Sequence, residues 1–280
     1  ETPGAIFVMA IDTRPDAPDP ALALAGREED LDRGLAALSQ LTAGPVFLCE
    51  PKERPVPGPV PTALKRLRVG GPHPQGLAGL LIHRHIPAAI DAPVWEIHAE
   101  DVADLGALLA TGLLRPTRLV SVSGDGLREA RLVRCQAGAD LRDLSRPVMR
   151  PGPREISSGS YLDGRPARWL GGLDRQVTVQ GRHDPAPRRH WFGSALARAS
   201  RQMPIIPTAA LDQSFGGRLP AMALIRALAL GDAESFARLG GLSLLEDDVA
   251  LADYATAARP RLATQLRALL DRLAIEEGTR

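Results

Sequence analysis

The stretch Ala5-Ile-Phe-Val-Met-Ala-Ile-Asp12 is an unbroken apolar run closed by a carboxylate. A run with no polar residue at alternate positions fits a strand covered on both faces, and such strands belong to parallel sheets flanked by helices. Working outward, the Pro-rich loop Arg14–Pro20 leads into a helical period from about Ala21 to Leu41. Leu31, Leu35, Leu38 and Leu41 share one face of it, and Glu28, Glu29 and Asp32 the other. Gly44-Pro45 stops the helix, and Val46-Phe-Leu-Cys49 supplies a second buried strand. Strand, helix and strand in this order have the spacing of a right-handed crossover unit, so a Rossmann-like half-sheet is expected.

Leu67–Val69 reads as a short strand before the Gly-rich stretch Gly70-Gly-Pro-His-Pro-Gln-Gly-Leu-Ala-Gly79, and Val94-Trp-Glu-Ile97 as another before a helix over Asp101–Thr111 closed by Gly112. This first α/β domain is expected to span 1–116. From Thr117 the pattern becomes hairpin-like: Arg118–Ser123 and Arg131–Arg134 flank the turn signal Gly124-Asp-Gly126. With a short helix at Leu141–Leu144 and strands at Glu155–Ser157 and Gln176–Gln180, residues 117–190 read as a small α+β domain of the β-grasp kind. Residues 191–280 read as helical, with helices at Leu219–Leu230, Asp232–Leu239, Asp247–Ala258 and Arg261–Glu277, Asp232 as a cap and Pro260 at a helix start. The apolar stripe Leu262, Leu266, Leu269, Leu270 and Leu273 is read as core packing.

Lys and Arg sum to 34 and Asp and Glu to 33, a net charge of +1 that draws the chain to neither nucleic acid nor anionic lipid. Lys occurs only at Lys52 and Lys65. The longest apolar stretch, Leu219–Leu230, contains Pro220 and Arg226 and falls short of the roughly 20 residues of a membrane-spanning helix. The first residues lack the pattern of a secretory signal, which leads to the expectation that the sequence begins inside a longer natural chain. Cys49 and Cys135 stand far apart in apolar surroundings, as expected of a reducing, cytoplasmic setting.

Several residues are candidates for a site. The glycines of the Gly70–Gly79 loop allow a backbone to approach an anion or a planar ligand, though an irregular connection explains them as well, and neither Gly-x-Gly-x-x-Gly nor Gly-Lys-Ser occurs. His83 and His85, two apart, would face the same side of a strand and hold a metal if His73 or His98 converged on them; hydrogen-bonded structural histidines are the plainer reading, and no metal is expected. Asp12 ends a strand where doubly wound folds place functional carboxylates, and equally fits a loop cap. No Gly-x-Ser-x-Gly elbow and no local Cys–His pair is present, so no catalytic residue is assigned. Arg182, His183, Arg188, Arg189 and His190 form a basic cluster before Trp191-Phe192, read as a solvated linker or an attachment to a partner.

The stretches Ala5–Pro20, Gly70–Gly79 with Ile82-His83, and Val94-Trp95 through Asp101-Val102 are similar to the NqrA family, one of the subunits of the sodium-translocating NADH:quinone oxidoreductase. Arg131–Arg134 with Gly138-Ala139, Ile156–Ser160, Tyr161–Gly164 and Leu230-Gly-Asp232 through Leu244–Leu251 follow in the family's order, so the resemblance covers most of the chain. It implies a Rossmann-like domain related to the flavin-binding subunit of respiratory complex I, a soluble-ligand-binding (SLBB) β-grasp domain and a helical tail. It further implies a peripheral component, on the cytoplasmic face of a bacterial membrane complex that passes electrons from NADH through flavins to ubiquinone and exports sodium. Members of the NqrA family are associated with quinone binding and carry no covalent flavin or iron–sulfur cluster.

The resemblance has three departures. A counterpart of the family's amino-terminal lipoyl-like domain is missing, so the chain reads as a fragment or a truncated relative. The cysteine pair and Pro-Gly-Lys expected after the acidic segment are replaced by Leu251-Ala-Asp-Tyr-Ala-Thr-Ala-Ala-Arg-Pro260, and the region between Trp191 and Leu219 is shorter. The leading expectation is a non-catalytic subunit that provides scaffold and a surface for ubiquinone, while partner subunits handle NADH and flavins. A stand-alone ligand-binding module of the same fold is the alternative, and an enzyme with its own flavin a third reading. The ligand is expected beside Gly70, Gly71, His73 and Gly76, with His83 and His85 as further candidates.

Overall fold

The structure, a computed structural model, describes residues 2–56, 64–181 and 208–278. Strand β1 (Ala5–Met9) is central in a four-stranded parallel sheet of order β3-β2-β1-β4, where β2 is Val46–Pro51, β3 Leu64–Val69 and β4 Val94–His98. Ile6 and Val8 pack on one face with α2 (Glu28–Leu38) and α4 (Ala99–Thr111). Phe7 and Met9 pack on the other with Leu81 and Ile82 of α3 (Ala78–His85), and the Phe7 and Phe47 rings lie 4.7 Å apart. Both faces are covered, which is why the run carries no polar residue.

The continuous helix expected over Ala21–Leu41 is two helices. The first, α1 (Pro20–Leu24), is capped by Asp19, whose carboxylate accepts from the Ala21 amide. It breaks because Gly26 takes a left-handed conformation (φ 72°), and α2 restarts two residues later. Helix α4 begins at Ala99, ahead of the expected Asp101, because the His98 ring caps it by accepting from the Glu100 amide at 3.2 Å. Helices α2 and α4 touch backbone to backbone through Gly34 and Gly106: a Cβ on Gly34 would lie 2.0 Å from the Val102 carbonyl oxygen, and one on Gly106 1.8 Å from that of Asp30.

A second, five-stranded sheet has the order β6-β5-β9-β7-β8, with β5 Arg118–Ser123, β6 Arg131–Cys135, β7 Arg154–Ser158, β8 Arg165–Pro166 and β9 Gln176–Gly181. Strands β5 and β6 form the antiparallel hairpin that the Gly124-Asp-Gly126 turn called for, while β5 and β9 run parallel. Helix α5 (Leu141–Ser145) buries Leu141 against Val120, Val122, Val177 and Val179.

The helices α6 (Ala209–Ser214), α7 (Ala221–Leu230), α8 (Ala233–Arg238), α9 (Ala250–Thr256) and α10 (Leu262–Gly278) close around Leu211, Phe215, Leu224, Phe236, Leu262 and Leu266. Asp232 caps α8 as expected, its carboxylate accepting from Ser235 N at 3.0 Å. The helix expected over Asp247–Ala258 is instead a 3-10 turn, Glu246–Val249, followed by α9. The start of α10 is capped by Asp253, which accepts from the Leu262 and Ala263 amides. Leu77 and Leu80, at the start of α3, belong to this helical core while Leu81 and Ile82 belong to the sheet, so α3 is shared. Among the described residues no helix is long and apolar enough to cross a membrane. The basic cluster Arg182–His190 and the expected boundary at 190/191 lie outside the described residues.

Gly106→Ala forces α2 and α4 apart, and urea unfolding is expected to show a loss of about 1–3 kcal/mol relative to the parent.

Candidate functional site

A cavity of about 1030 Å³ opens where β1 and β4 end, between the two sheets and the helical bundle. Its floor is Met9, Ile11 and Ile97; its walls come from Gly76–Ala78, from Asp163, Asp174 and Arg175 in the loops that join strands of the second sheet, and from Glu246–Asp248 and α10. Open parallel sheets place their ligand crevices at this position, because the strand ends leave a gap that loops must line.

Arg14 holds the three regions together. Its Nη2 lies 2.7 Å from Asp12, and its Nη1 3.1 Å from both Asp163 and Asp247, which sit 149 and 233 residues away in sequence. Asp12 first tightens the turn after β1 by accepting from the Arg14 amide at 3.0 Å, which aims the guanidinium into the junction. Burial raises the Asp163 carboxyl, but Arg14 and two hydrogen bonds from Ser160 outweigh it and hold it below the usual range. For Asp247 the balance is reversed. Its position within the cavity walls, reinforced by Asp163, Asp12 and Asp174, overcomes the attraction of Arg14 and raises the carboxyl to about 6.

Asp248 is fully buried and accepts from Leu245 N at 2.7 Å and from Gly79 N at 3.1 Å. Burial raises it to about 7, with Asp247 and Glu96 adding to the rise. A Cβ on Gly79 would lie 2.1 Å from Asp248 Oδ2, so only glycine lets this carboxylate reach the first turn of α3. Burial and then Asp247 likewise raise Glu96. His98 stays neutral, held well below its ordinary value by burial and then by Arg175, Arg14 and Arg118. Behind the cavity, buried Glu100 accepts from Leu119 N and from Arg175 Nε at 3.3 Å, and Arg175 also reaches Asp101 at 2.7 Å, locking α4 to the second sheet.

Of the residues singled out in the sequence, Asp12 and His98 line the cavity, and so does Gly76. Its amide donates to Thr13 Oγ1, and the His73 Nδ1 lies 3.3 Å from the same hydroxyl, so the loop is fastened to the turn that follows β1. His73 titrates below its ordinary value, chiefly through burial. Gly70 packs on the Lys52 side chain and Gly71 on Gln75, away from the wall.

The strand placement of His83 and His85 needs correction. Both lie on α3, where residues two apart point about 200° away from each other. His83 packs on Gly240, and the His85 ring lies 6.1 Å from that of Phe47, so they do not share a side; the spacing alone fits a strand, and the helix is set by Leu80, Leu81 and Ile82 facing two cores. His98 is a helix cap and not a third ligand. Among the described residues no group of three or more His, Cys, Asp or Glu is arranged to hold a metal. Asp12 is committed to Arg14. Burial, reinforced by Glu96 and Glu50, raises the Cys49 thiol to about 12, which keeps it unreactive. Arg14, Asp163 and Asp247 escape a sequence reading because nothing in the local pattern shows that they meet; the acidic run Glu246-Asp-Asp248 was the available signal.

Residues 1–114 match the family described as NqrA second alpha/beta domain. Over 299 positions the chain is 32% identical to the NqrA subunit of the Na(+)-translocating NADH-quinone reductase of Glaesserella parasuis serovar 5, covering 97% of the chain and 67% of that protein. The corresponding protein of Rhodopirellula baltica is 32% identical, with 90% and 61% covered, and that of Pseudomonas aeruginosa 31%, with 97% and 67% covered. The chain thus spans about two thirds of the length of these relatives, from 61% to 67%. Among solved structures, an NAD+-reducing NiFe hydrogenase in the H2-reduced state aligns with a TM-score of 0.49 and 16% identity, covering 95% of this chain and 56% of that one.

The raised carboxyl of Asp247 has a defined effect on stability. Its value is 3.8 when unfolded and about 6 when folded, so the folded protein takes up a proton between these values. The resulting stabilisation is complete below about 4 and is lost as pH rises through about 6. The histidines shifted downward by burial act in the opposite direction below 6.5, so the clean measurement is a difference. Asp247→Asn is expected to gain stability relative to the parent between pH 4 and pH 7 in paired urea titrations, and a flat difference contradicts the assignment.

Proposed function

Because the chain belongs to the NqrA family of the Na(+)-translocating NADH-quinone reductases, we propose that it serves as a peripheral subunit of such a reductase and performs no chemistry alone. In this reading NADH and the flavins are handled by partner subunits, and the chain provides scaffold and a binding surface for quinone at the cytoplasmic face of the membrane. The observation that carries it is the 32% identity over an alignment that covers 97% of the chain. Ligand cavities of this kind hold ring-sized molecules on a largely apolar floor with a few directed polar groups. Met9, Ile11, Leu77 and Ile97 offer such a floor for a quinone ring, and the arginines at the rim offer donors for its carbonyl oxygens.

We place the ligand in that cavity, against Gly76 and the loop that carries Gly70, Gly71 and His73, with His83 and His85 on the helix that follows. Three units, 1–116, 117–190 and 191–280, meet around it. The parallel pairing of β5 with β9, between a hairpin and a crossing helix, supports a β-grasp reading of the second unit and its assignment as a soluble-ligand-binding domain.

An affinity-tagged chain purified from native membranes is expected to bring the other reductase subunits with it, and isolation alone defeats the reading. For the ligand, Ala268→Trp on the exposed, cavity-facing side of α10 fills the space. It is expected to weaken binding of a short-chain ubiquinone analogue by about tenfold or more, while Tyr254→Ala, outside the lining, leaves it unchanged.

A further inference from the structure

Strand β4 ends the first sheet, so among the described residues its outer edge pairs with no further strand. Facing it is the segment 242–248, held in place through Ser243, which accepts from the Ala88 amide, and through Asp248, which accepts from the Gly79 amide. Two hollows lie between strand and segment, in the same order along both. The smaller, of about 250 Å³, is lined by Val94, Trp95 and Glu96 and by Leu242, Ser243 and Leu245. The large cavity continues with Glu96, Ile97 and His98 and with Leu245 to Asp248. Glu96 and Leu245 belong to both linings, which makes the small hollow a side arm of the large one.

The two differ in chemistry. The lining of the large cavity contains nine carboxylates and five arginines. That of the side arm contains one carboxylate, Glu96 at the junction, and one hydroxyl, Ser243, already bonded to the Ala88 amide; the rest is Ile82, Ala88, Val94, Trp95, Leu242 and Leu245. Trp95 is 42% exposed, apolar surface that an occupant of the arm would take from water. An apolar substituent on a ring seated over Met9, Ile11 and Ile97 meets charge toward Asp174 and α10, where covering it would strip water from ionised groups, and apolar surface toward the side arm. A cavity of about 150 Å³ takes a benzene molecule, so the arm has room for roughly one to two five-carbon prenyl units.

We propose that the side arm along β4 is the seat of an aliphatic chain: it takes the first prenyl units of a lipophilic quinone whose ring lies in the large cavity. This rests on the cavity being the quinone site, and it adds the direction in which the ligand lies, with the ring at the carboxyl end of β4 and the chain running back along the strand toward Val94.

The test measures dissociation constants by calorimetric titration for a dimethoxy-methyl-benzoquinone without a chain, for the same ring with one and with two prenyl units, and for geraniol, a two-prenyl alcohol with no ring. In the wild type the first prenyl unit is expected to tighten binding by on the order of tenfold or more, and geraniol to bind saturably. Ala88→Phe fills the arm, and is expected to bind the chainless ring as the wild type does while losing both the chain gain and geraniol. Leu242→Asp, at a half-buried position, places a charge in the arm and serves the same purpose if Ala88→Phe does not fold. Absence of both the chain gain and geraniol binding in the wild type, or their persistence in the folded variants, overturns the proposal; a protein strand added to the edge of β4 as the true occupant would give the first of these results. Failure of every quinone to bind, with geraniol bound by the wild type and lost in the variants, removes the quinone assignment and leaves the chain seat standing.

Discussion

One guanidinium fixes how the three parts of this chain sit around their cavity. Arg14 projects from the turn after the central strand, and Asp12, Asp163 and Asp247 reach it from the first sheet, the second sheet and the helical region. Three carboxylates around one cation leave an excess of negative charge, and Asp247 is the one of the three whose carboxyl is raised. Removing Arg14 from such a cluster costs more than its pairs contribute, since the carboxylates left behind stay partly buried. The Glu100–Arg175–Asp101 bridge behind the cavity repeats this device and holds the second sheet on α4.

Close backbone approach is the second constraint, and it explains why the two family-like segments, Gly70–Gly79 and Leu244–Leu251, belong together. Gly79 and Asp248, 169 residues apart, form a single contact. Ser243 reinforces it by accepting from the Ala88 amide at 3.1 Å, so the same segment grips α3 at its start and just past its end. A segment that looks like a surface acidic run is therefore a structural strap.

The first sheet was legible because a strand buried on both faces leaves a plain trace, and Ala5–Met9 fills all five of its positions with apolar residues. The hairpin and the Asp232 cap were legible for a similar reason, since their signals lie within a few residues. The break at Gly26 was missed because the leucine period continues in phase across it, and the His83–His85 pair was misplaced because two-residue spacing carries no information about secondary structure. The cavity was met in the sequence only at Asp12, Gly76 and His98. Its charged walls come from contacts of long range, and no single sequence states that Asp12, Asp163 and Asp247 converge.

The sharing of α3 bears on how the chain can be divided. Leu77 and Leu80 sit in the core formed by the carboxy-terminal helices, while Leu81 and Ile82 sit under the first sheet. A piece cut after residue 116 would turn two leucines to water, each worth about 1.5–3 kcal/mol of lost burial. The amino-terminal layer is thus a recognisable unit of architecture without being a self-sufficient one: excised alone it would be adhesive, and its solubility depends on residues more than a hundred positions downstream.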